Sequence, residues 1–172
     1  FDYLSSCEIP YRGVLYVGLM ITEDGDPNVV EFNVRFGDPE CQITLPLIKT
    51  DLFLLLKQAA TDSLKDLEVD FYDACALTVV LASEGYPADP IKGRKINGLD
   101  SRIPNIELGS SWINFAGVKK SDGDYLASGG RVLSCSAMSD SLASTAELAY
   151  DLIESISLEG SHYRTDIGGK AL

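Results

Sequence analysis

The feature that most constrains the fold of this chain is its short turns, which are rich in Asp and Gly. These turns lie between apolar runs that contain Val, Leu and Tyr. Residues 13–22 and 29–36 form one pair of runs, separated by Glu23-Asp24-Gly25-Asp26-Pro27. A second turn of this kind, Ser121-Asp122-Gly123-Asp124, separates another pair. Turn residues between strand-forming runs predict β-hairpins. The sequence therefore predicts sheets in which neighbouring strands are antiparallel.

Helical segments are interspersed with these strands. One helix is predicted over residues 39–48, with Asp38 as its N-cap. A second is predicted from an N-cap at Thr50 or Asp51 up to about residue 60, and a third over 141–156, where apolar residues recur at helical spacing. A short extended tail over residues 163–167 is expected to add an edge strand. Helices mixed with antiparallel strands place the chain in the α+β class.

The charge balance narrows the possible partners. Lys and Arg number 14 and Asp and Glu number 26, so the net charge is −12 with His neutral. Nucleic acids and anionic membrane surfaces bind positively charged protein surfaces, so the sequence predicts neither as a partner. A small anionic substrate held by a few Arg side chains is compatible with this charge.

Cysteine and histidine usage argues against two kinds of site. The four cysteines are widely spaced and include no CxxC pair, which disfavours a zinc site. Scattered thiols suit the reducing cytoplasm. The single histidine, His162, has no GxSxG motif to accompany it, so a Ser-His-Asp triad is not expected.

The densest group of polar side chains lies at residues 31–40. If the strand continues through Arg35, then Glu31, Asn33 and Arg35 share one face, because alternate residues of a strand point the same way. A carboxylate beside an amide oxygen suits a hard cation such as Mg²⁺, and an adjacent guanidinium can bind an oxyanion through two hydrogen bonds. The opposite face carries apolar residues and is expected to face the core: Val30, Phe32, Val34 and Phe36.

Asp38 lies where the strand is expected to give way to a helix, beside backbone N–H groups that favour anions. An alternative for the whole segment is a solvated strand face with a Glu31–Arg35 ion pair and a capping Asp38. Exposed polar residues are the usual outer side of a half-buried strand. The pattern alone leaves both interpretations open.

A resemblance favours the functional interpretation. The run Arg35-Phe36-Gly37-Asp38-Pro39-Glu40-Cys41-Gln42 resembles the signature of the glycinamide ribonucleotide synthetase family, the phosphoribosylamine–glycine ligases of the ATP-grasp superfamily. Four more segments resemble that family, in family order over nearly the whole chain: Tyr11-Arg12-Gly13-Val14-Leu15-Tyr16-Val17-Gly18-Leu19-Met20, Gly85-Tyr86-Pro87, Gly129-Gly130-Arg131-Val132-Leu133 and Tyr163-Arg164-Thr165-Asp166-Ile167-Gly168. The chain departs from the family at Phe115-Ala116-Gly117-Val118, where His-Ala-Gly-Thr is usual.

The resemblance implies that the chain is the C-terminal portion of such a ligase, with an N-terminal domain and most of the ATP-grasp module upstream. Residues 1–69 would be the C-terminal part of the ATP-grasp domain, with the metal- and substrate-binding hairpin, and residues 70–172 a small β-rich C-terminal domain. The implied reaction of de novo purine biosynthesis joins glycine to 5-phosphoribosylamine, giving glycinamide ribonucleotide, ADP and phosphate.

The resemblance also implies roles for single residues. Glu31 and Asn33 fall on the family's magnesium-ligand positions, which would hold Mg²⁺ or Mn²⁺. Arg35 is implied to bind phosphate or carboxylate charge, and Asp38 the amine of glycine or phosphoribosylamine. Arg164 resembles a C-terminal Arg by which related purine-pathway enzymes hold a ribose phosphate.

The sequence leaves two alternatives open. Arg164 is equally well explained as a surface residue paired with Asp166, since exposed pairs are common and weak. The chain as a whole is alternatively a non-catalytic binding or interaction module derived from an ATP-grasp enzyme. A hairpin that carries Glu31, Asn33 and Arg35 favours the ligase, because a pure binding module has no need of these side chains.

Overall fold

The structure is a computed structural model and describes residues 2–9, 11–99, 106–169 and 171. It divides into two compact units, one with the residues up to Cys41 and Ile48–Tyr72, the other with Gln42–Leu47 and the residues from Asp73 onward. Both units combine helices with antiparallel strands, which confirms the α+β class. Within the described ranges, no helix is long and apolar enough to cross a membrane.

The first unit is built around one hairpin and one longer helix. Its elements are helix α1 (Asp2–Ser6), strands β1 (Tyr16–Ile21) and β2 (Pro27–Asn33), helix α3 (Leu52–Thr61) and a 3₁₀ turn (Leu64–Asp66). The short helix α2 (Cys41–Thr44) begins at the last residue of the first segment of this unit and continues in the second unit. Strands β1 and β2 pair antiparallel, with an irregularity of register between Gly18 and Leu19. The predicted hairpin is therefore present.

Strand β2 ends at Asn33, so the expectation that it runs through Arg35 is wrong. The partner strand begins only at Tyr16, directly opposite Asn33. Before Tyr16 the chain bends, and the hydroxyl of Tyr11 donates a hydrogen bond of 2.5 Å to the carbonyl of Val14. Because the strand has no partner beyond this point, the backbone leaves it in a bend, and Arg35 does not continue the polar face.

The apolar face of the hairpin is exposed. Val30 and Phe32 are each 65% exposed and Val34 is 74% exposed, which contradicts the expectation that this face lies in the core. Phe36 is half-buried. Alternation predicts which side chains share a face, but it does not predict what covers that face. A two-stranded hairpin brings no second layer of its own.

The helix predicted over 39–48 is reduced to four residues, Cys41–Thr44. Residues 38–40 form a turn instead, and the N–H of Cys41 donates to the carbonyl of Gly37 at 3.1 Å. Asp38 is therefore not the N-cap of a helix. Pro46 explains the early end, because proline disfavours the helical conformation of the residue before it.

Helix α3 begins close to where the sequence predicts a helix. The carboxylate of Asp51 accepts a hydrogen bond of 2.7 Å from the N–H of Leu54, which is the usual role of an N-cap side chain. The helix ends at Thr61 and is followed by Asp62 in the left-handed conformation.

The second unit contains two sheets and one long helix. Its elements are strands β3 (Cys75–Ala82), β4 (Lys95–Asn97), β5 (Ser110–Phe115), β6 (Val118–Ser121), β7 (Asp124–Ala127) and β8 (Arg131–Ser139), helix α4 (Leu142–Glu154) and strand β9 (Ser157–Leu158). One sheet has the order β3-β8-β5 and the other β6-β7-β4-β9. All the pairings are antiparallel.

The core of this unit lies between helix α4 and the three-stranded sheet. The helix begins after Ser141, whose hydroxyl accepts a hydrogen bond of 3.2 Å from the N–H of Ser144. Its buried face and the facing strand residues form one cluster that includes Val79, Leu133, Cys135, Ala149, Leu152 and Ile153. Trp112 of β5 is also a buried residue, with 1% of its surface exposed.

The edge strand expected at residues 163–167 does not form. The sheet contact is a single bridge, in which Ala82 and His162 exchange backbone hydrogen bonds of 2.9 and 3.0 Å. Beyond this bridge the segment leaves the sheet, and its backbone is hydrogen-bonded to the side chain of Tyr150 on helix α4.

Candidate metal and substrate site

Glu31 and Asn33 lie on the same face of strand β2 and contact each other. The amide Nδ2 of Asn33 donates a hydrogen bond of 2.9 Å to Oε1 of Glu31. Gly18 lies opposite Glu31 in the hairpin, and a Cβ at this glycine would be 3.1 Å from Cγ of Glu31. The missing side chain on the partner strand therefore leaves room for the carboxylate.

Tyr16 and Glu40 join this pair, and Tyr16 is a residue that the sequence analysis did not propose for the site. Partial burial raises the pKa of the Tyr16 phenol, and so do a hydrogen bond with Glu40 and the negative charges of Glu40 and Glu31, while Arg35 lowers it. The register of the hairpin was the available signal, because it places Tyr16 directly opposite Asn33. The site is thus a cluster of carboxylates and polar groups around one phenol.

Gly37 allows the contact between Tyr16 and Glu40. It is buried, and an added Cβ would overlap the carboxylate of Glu40 and approach Cε2 of Tyr16 to 3.0 Å. Interiors are packed too closely to accept such an atom without a shift. A glycine between strand β2 and the turn is therefore required for this arrangement.

Arg35 and Asp38 lie in the connection that follows strand β2. The charges of both side chains shift the pKa of the Cys41 thiol. Burial raises the pKa of Cys41, the negative charges of Asp38 and Glu40 raise it further, and Arg35 lowers it. Arg35 is exposed, and its Nη1 donates a hydrogen bond of 2.7 Å to the carbonyl of Phe36. The structure brings these charges together, and the raised pKa keeps Cys41 in the thiol form, which is unreactive.

The donor set of the hairpin fits a magnesium ion. Among the residues that the structure describes, no three His, Cys, Asp or Glu side chains converge as a metal centre. Mg²⁺ does not need such a cage, because it keeps several water molecules as ligands. One or two protein carboxylates and the oxygens of substrate phosphates complete its coordination. The carboxylate of Glu31 and the amide oxygen of Asn33 are two suitable ligands, and the hydrogen bond from Nδ2 of Asn33 to Oε1 of Glu31 keeps the two side chains adjacent.

Arg164 lies in the second unit and is paired with Asp166. Its Nε and Nη2 donate hydrogen bonds of 2.8 and 2.7 Å to the two carboxylate oxygens, and the two side chains are 72% and 66% exposed. The hydrogen bond and the charge of Asp166 raise the pKa of Arg164, so the guanidinium stays charged. The pair borders a pocket of about 260 Å³, which is lined by Arg164, Asp166, Ile167, Gly168 and Ala171.

Comparison with protein families identifies two matching segments. The family model of the phosphoribosylglycinamide synthetase C domain matches residues 76–170. The model of the ATP-grasp (A) domain of the same synthetase matches residues 1–41, which include the hairpin and the following turn.

Individual proteins agree with these matches. The phosphoribosylamine–glycine ligase of Caldanaerobacter subterraneus is 45% identical over 159 residues, which are 92% of this chain and 36% of that protein. The trifunctional purine biosynthetic protein adenosine-3 of Gallus gallus is 44% identical, over 95% of this chain and 16% of its own length. The crystal structure of phosphoribosylamine–glycine ligase from Thermotoga maritima superposes with a TM-score of 0.78 at 35% identity, over 95% of this chain and 39% of that one. The chain thus spans well under half the length of these relatives.

Proposed function

This chain belongs to the phosphoribosylglycinamide synthetase family, and from that premise we propose that it supplies the C-terminal part of an ATP-dependent ligase that joins glycine to 5-phosphoribosylamine. The observation that carries the proposal is the Glu31–Asn33 pair, which lies in the segment matched by the ATP-grasp domain. Residues 1–69 are proposed as the end of the ATP-grasp domain and residues 70–172 as the C-terminal domain.

The proposed chemistry has two steps. A carboxylate oxygen of glycine attacks the γ-phosphorus of ATP, so that ADP leaves and glycyl phosphate forms. The amine nitrogen of phosphoribosylamine then attacks the carbonyl carbon, loses a proton and displaces phosphate, giving glycinamide ribonucleotide. Neither step needs a side-chain nucleophile, so the protein contributes mainly positioning and charge stabilisation.

Glu31 and Asn33 are proposed to hold Mg²⁺ or Mn²⁺ together with the phosphates of ATP. When bound, the ion supplies Lewis acidity that neutralises charge on the phosphates. The hydrogen bond between the two side chains supports this assignment, because it keeps the carboxylate and the amide next to each other on strand β2.

Three more side chains are proposed to bind substrates. Arg35 binds phosphate or carboxylate charge, and Asp38 binds the amine of glycine or phosphoribosylamine. Both are exposed in the turn region after strand β2. Arg164, charged and at the edge of a pocket, is proposed to bind the phosphate of phosphoribosylamine, with Asp166 holding the guanidinium.

The proposed location is the cytoplasm, since no disulfide joins the four cysteines, all of which lie within the described ranges, as suits a reducing compartment. The proposed partners are glycine, phosphoribosylamine, ATP and the N-terminal part of the ligase. The net charge of −12 supports the absence of nucleic-acid and membrane partners from this proposal.

A chimera tests the proposal. We expect the chain alone to show no ligase activity, since its sequence resembles neither an adenine pocket nor a loop that covers phosphates. Preceded by the N-terminal part of the Caldanaerobacter ligase, the chain should release ADP only when both glycine and phosphoribosylamine are present. Coupled measurement of ADP with each substrate omitted in turn checks this. Ligation by the chain alone, or an inactive but folded chimera, contradicts the proposal.

Titration with Mg²⁺ and ATP separates the ligase from a non-catalytic binding module. The ligase portion should bind the nucleotide in the chimera and not as the chain alone. Binding of equal strength by both contradicts the proposed dependence on the N-terminal part and favours an autonomous binding module.

A further inference from the structure

The hydroxyl of Tyr150 makes two hydrogen bonds to the backbone on either side of Asp166. It donates to the carbonyl of Arg164 at 3.0 Å and accepts from the N–H of Ile167 at 3.0 Å. Tyr150 is half-buried on helix α4, which packs on the sheet of the second unit. One phenol thus fastens both ends of the Arg164–Ile167 segment to a rigid helix.

This segment has little other backbone support. The bridge to strand β3 ends at His162, and residues 163–167 contain no helix or strand. An exposed ion pair such as Arg164–Asp166 does not by itself order the chain, because solvent screens the charges and ordering two side chains costs entropy. Tyr163 and Ile167 pack against the core cluster, and the carbonyl of Asp166 accepts a hydrogen bond of 3.1 Å from the N–H of Gly169. The hydrogen bonds to Tyr150 act between these contacts, directly at the carbonyl of Arg164 and the N–H of Ile167.

We propose that Tyr150 is a positioning residue, which holds the Arg164–Asp166 pair at the edge of the pocket so that the guanidinium meets the phosphate of the substrate. The inference rests on the proposed role of Arg164 in substrate binding. The effect of Tyr150 is indirect: its hydroxyl fixes the segment, and the segment presents the charge. A phenol bound to both a carbonyl and an N–H serves this purpose well, since it satisfies a donor and an acceptor at once.

Tyr163 provides a matched control for the test. Its ring lies beside that of Tyr150, with centroids 6.3 Å apart, and it too is half-buried. Among the described residues, its hydroxyl makes no hydrogen bond. Tyr150→Phe and Tyr163→Phe thus remove the same atom from neighbouring rings, and only the first removes an anchor of the Arg164 segment.

The kinetic test uses the chimeric ligase. Tyr150→Phe should raise the KM for phosphoribosylamine about tenfold, as expected for the loss of two hydrogen bonds that orient a charged group, with kcat and the KM values for glycine and ATP within about twofold. Tyr163→Phe should leave all of these unchanged. In an Arg164→Ala background, Tyr150→Phe should raise KM no further, because a positioning residue acts only through the residue that it positions.

The outcomes separate the inference from its premise. A raised KM in Arg164→Ala with an unchanged KM in Tyr150→Phe overturns the positioning role alone. An unchanged KM in Arg164→Ala overturns the role of Arg164 and the inference with it.

An inactive wild-type chimera counts against the proposed function. Hydrogen exchange of the chain alone then tests whether Tyr150 holds the segment. The Ile167 amide should exchange about tenfold faster in Tyr150→Phe than in Tyr163→Phe, and equal protection overturns the inference.

Discussion

Replacing Glu31 by Ala should lower the turnover of the chimeric ligase at least about a hundredfold, which corresponds to about 2.7 kcal/mol of transition-state stabilisation. The reason is that Glu31 is the only carboxylate of the proposed metal pair, so its loss removes the negative charge that holds the ion against the transferring phosphates. The measurement is kcat at saturating ATP, glycine and phosphoribosylamine. A series of Mg²⁺ concentrations tests whether metal restores the rate.

Two controls make the Glu31 prediction specific. Glu23→Ala removes an exposed carboxylate from the turn of the same hairpin and should leave kcat within about twofold, since surface substitutions away from a site have small effects. Glu31→Gln keeps the shape but not the charge and should be nearly as damaging as Glu31→Ala. Near-normal turnover of Glu31→Ala at saturating Mg²⁺ removes this residue from the metal site.

The polar pair was predictable because it depends only on local alternation. Residues two apart on one strand share a face, so Glu31 and Asn33 follow from the sequence once the strand is recognised. The place of Arg35 was not predictable in the same way. The end of strand β2 is determined by the start of its partner at Tyr16, and that start depends on a bend that lies earlier in the chain.

Other misses have equally specific causes. The helix after Asp38 was overestimated because the capping pattern at its start outweighed Pro46 at its end. Strand β4 was missed because it has only three residues, of which Ile96 alone is buried, so no alternation can be read from it. The exposed face with Phe32 shows a third limit, because patterning describes one surface and says nothing about the layer against it.

The long strands of the second unit are easier to recognise in the sequence than its short ones. Strand β3 carries an apolar run interrupted only by Thr78, which indicates a buried strand. The nine residues of strand β8 are almost completely buried although three of them are serines. Its connections are less visible in the sequence. Gly117 and Gly129 are twelve residues apart, yet a Cβ at Gly117 would lie 2.7 Å from both N and Cα of Gly129. The segment of Gly117, where the chain departs from the family, and the resembling segment that begins at Gly129 thus meet in space.

This contact gives the largest expected effect on stability. At Gly117 an added Cβ would also lie 2.8 Å from the carbonyl oxygen of Arg131, to which the N–H of Gly117 donates at 3.1 Å. The carbonyl of Gly117 in turn accepts from the N–H of Ser128 at 2.7 Å. All the crowded atoms belong to the backbone, so no side-chain rotation can relieve the overlap. The two loops would have to separate and lose these hydrogen bonds.

We therefore expect Gly117→Ala to lower the free energy of unfolding by about 3 kcal/mol, at the upper end of overpacking effects. Urea unfolding of the chain measures this change. The signal is the fluorescence of the single tryptophan, Trp112, which lies in the second unit and is 1% exposed.

Gly123→Ala is the control: Gly123 has φ +90° but open space around it, so it carries only the left-handed penalty of about 1–2 kcal/mol. Gly129→Ala, with its nearest contact at 3.1 Å, should cost less than Gly117→Ala. If Gly117→Ala unfolds at the same urea concentration as Gly123→Ala, the two loops do not approach as closely as the structure places them. If it alone is strongly destabilised, backbone contact explains why both segments carry glycine.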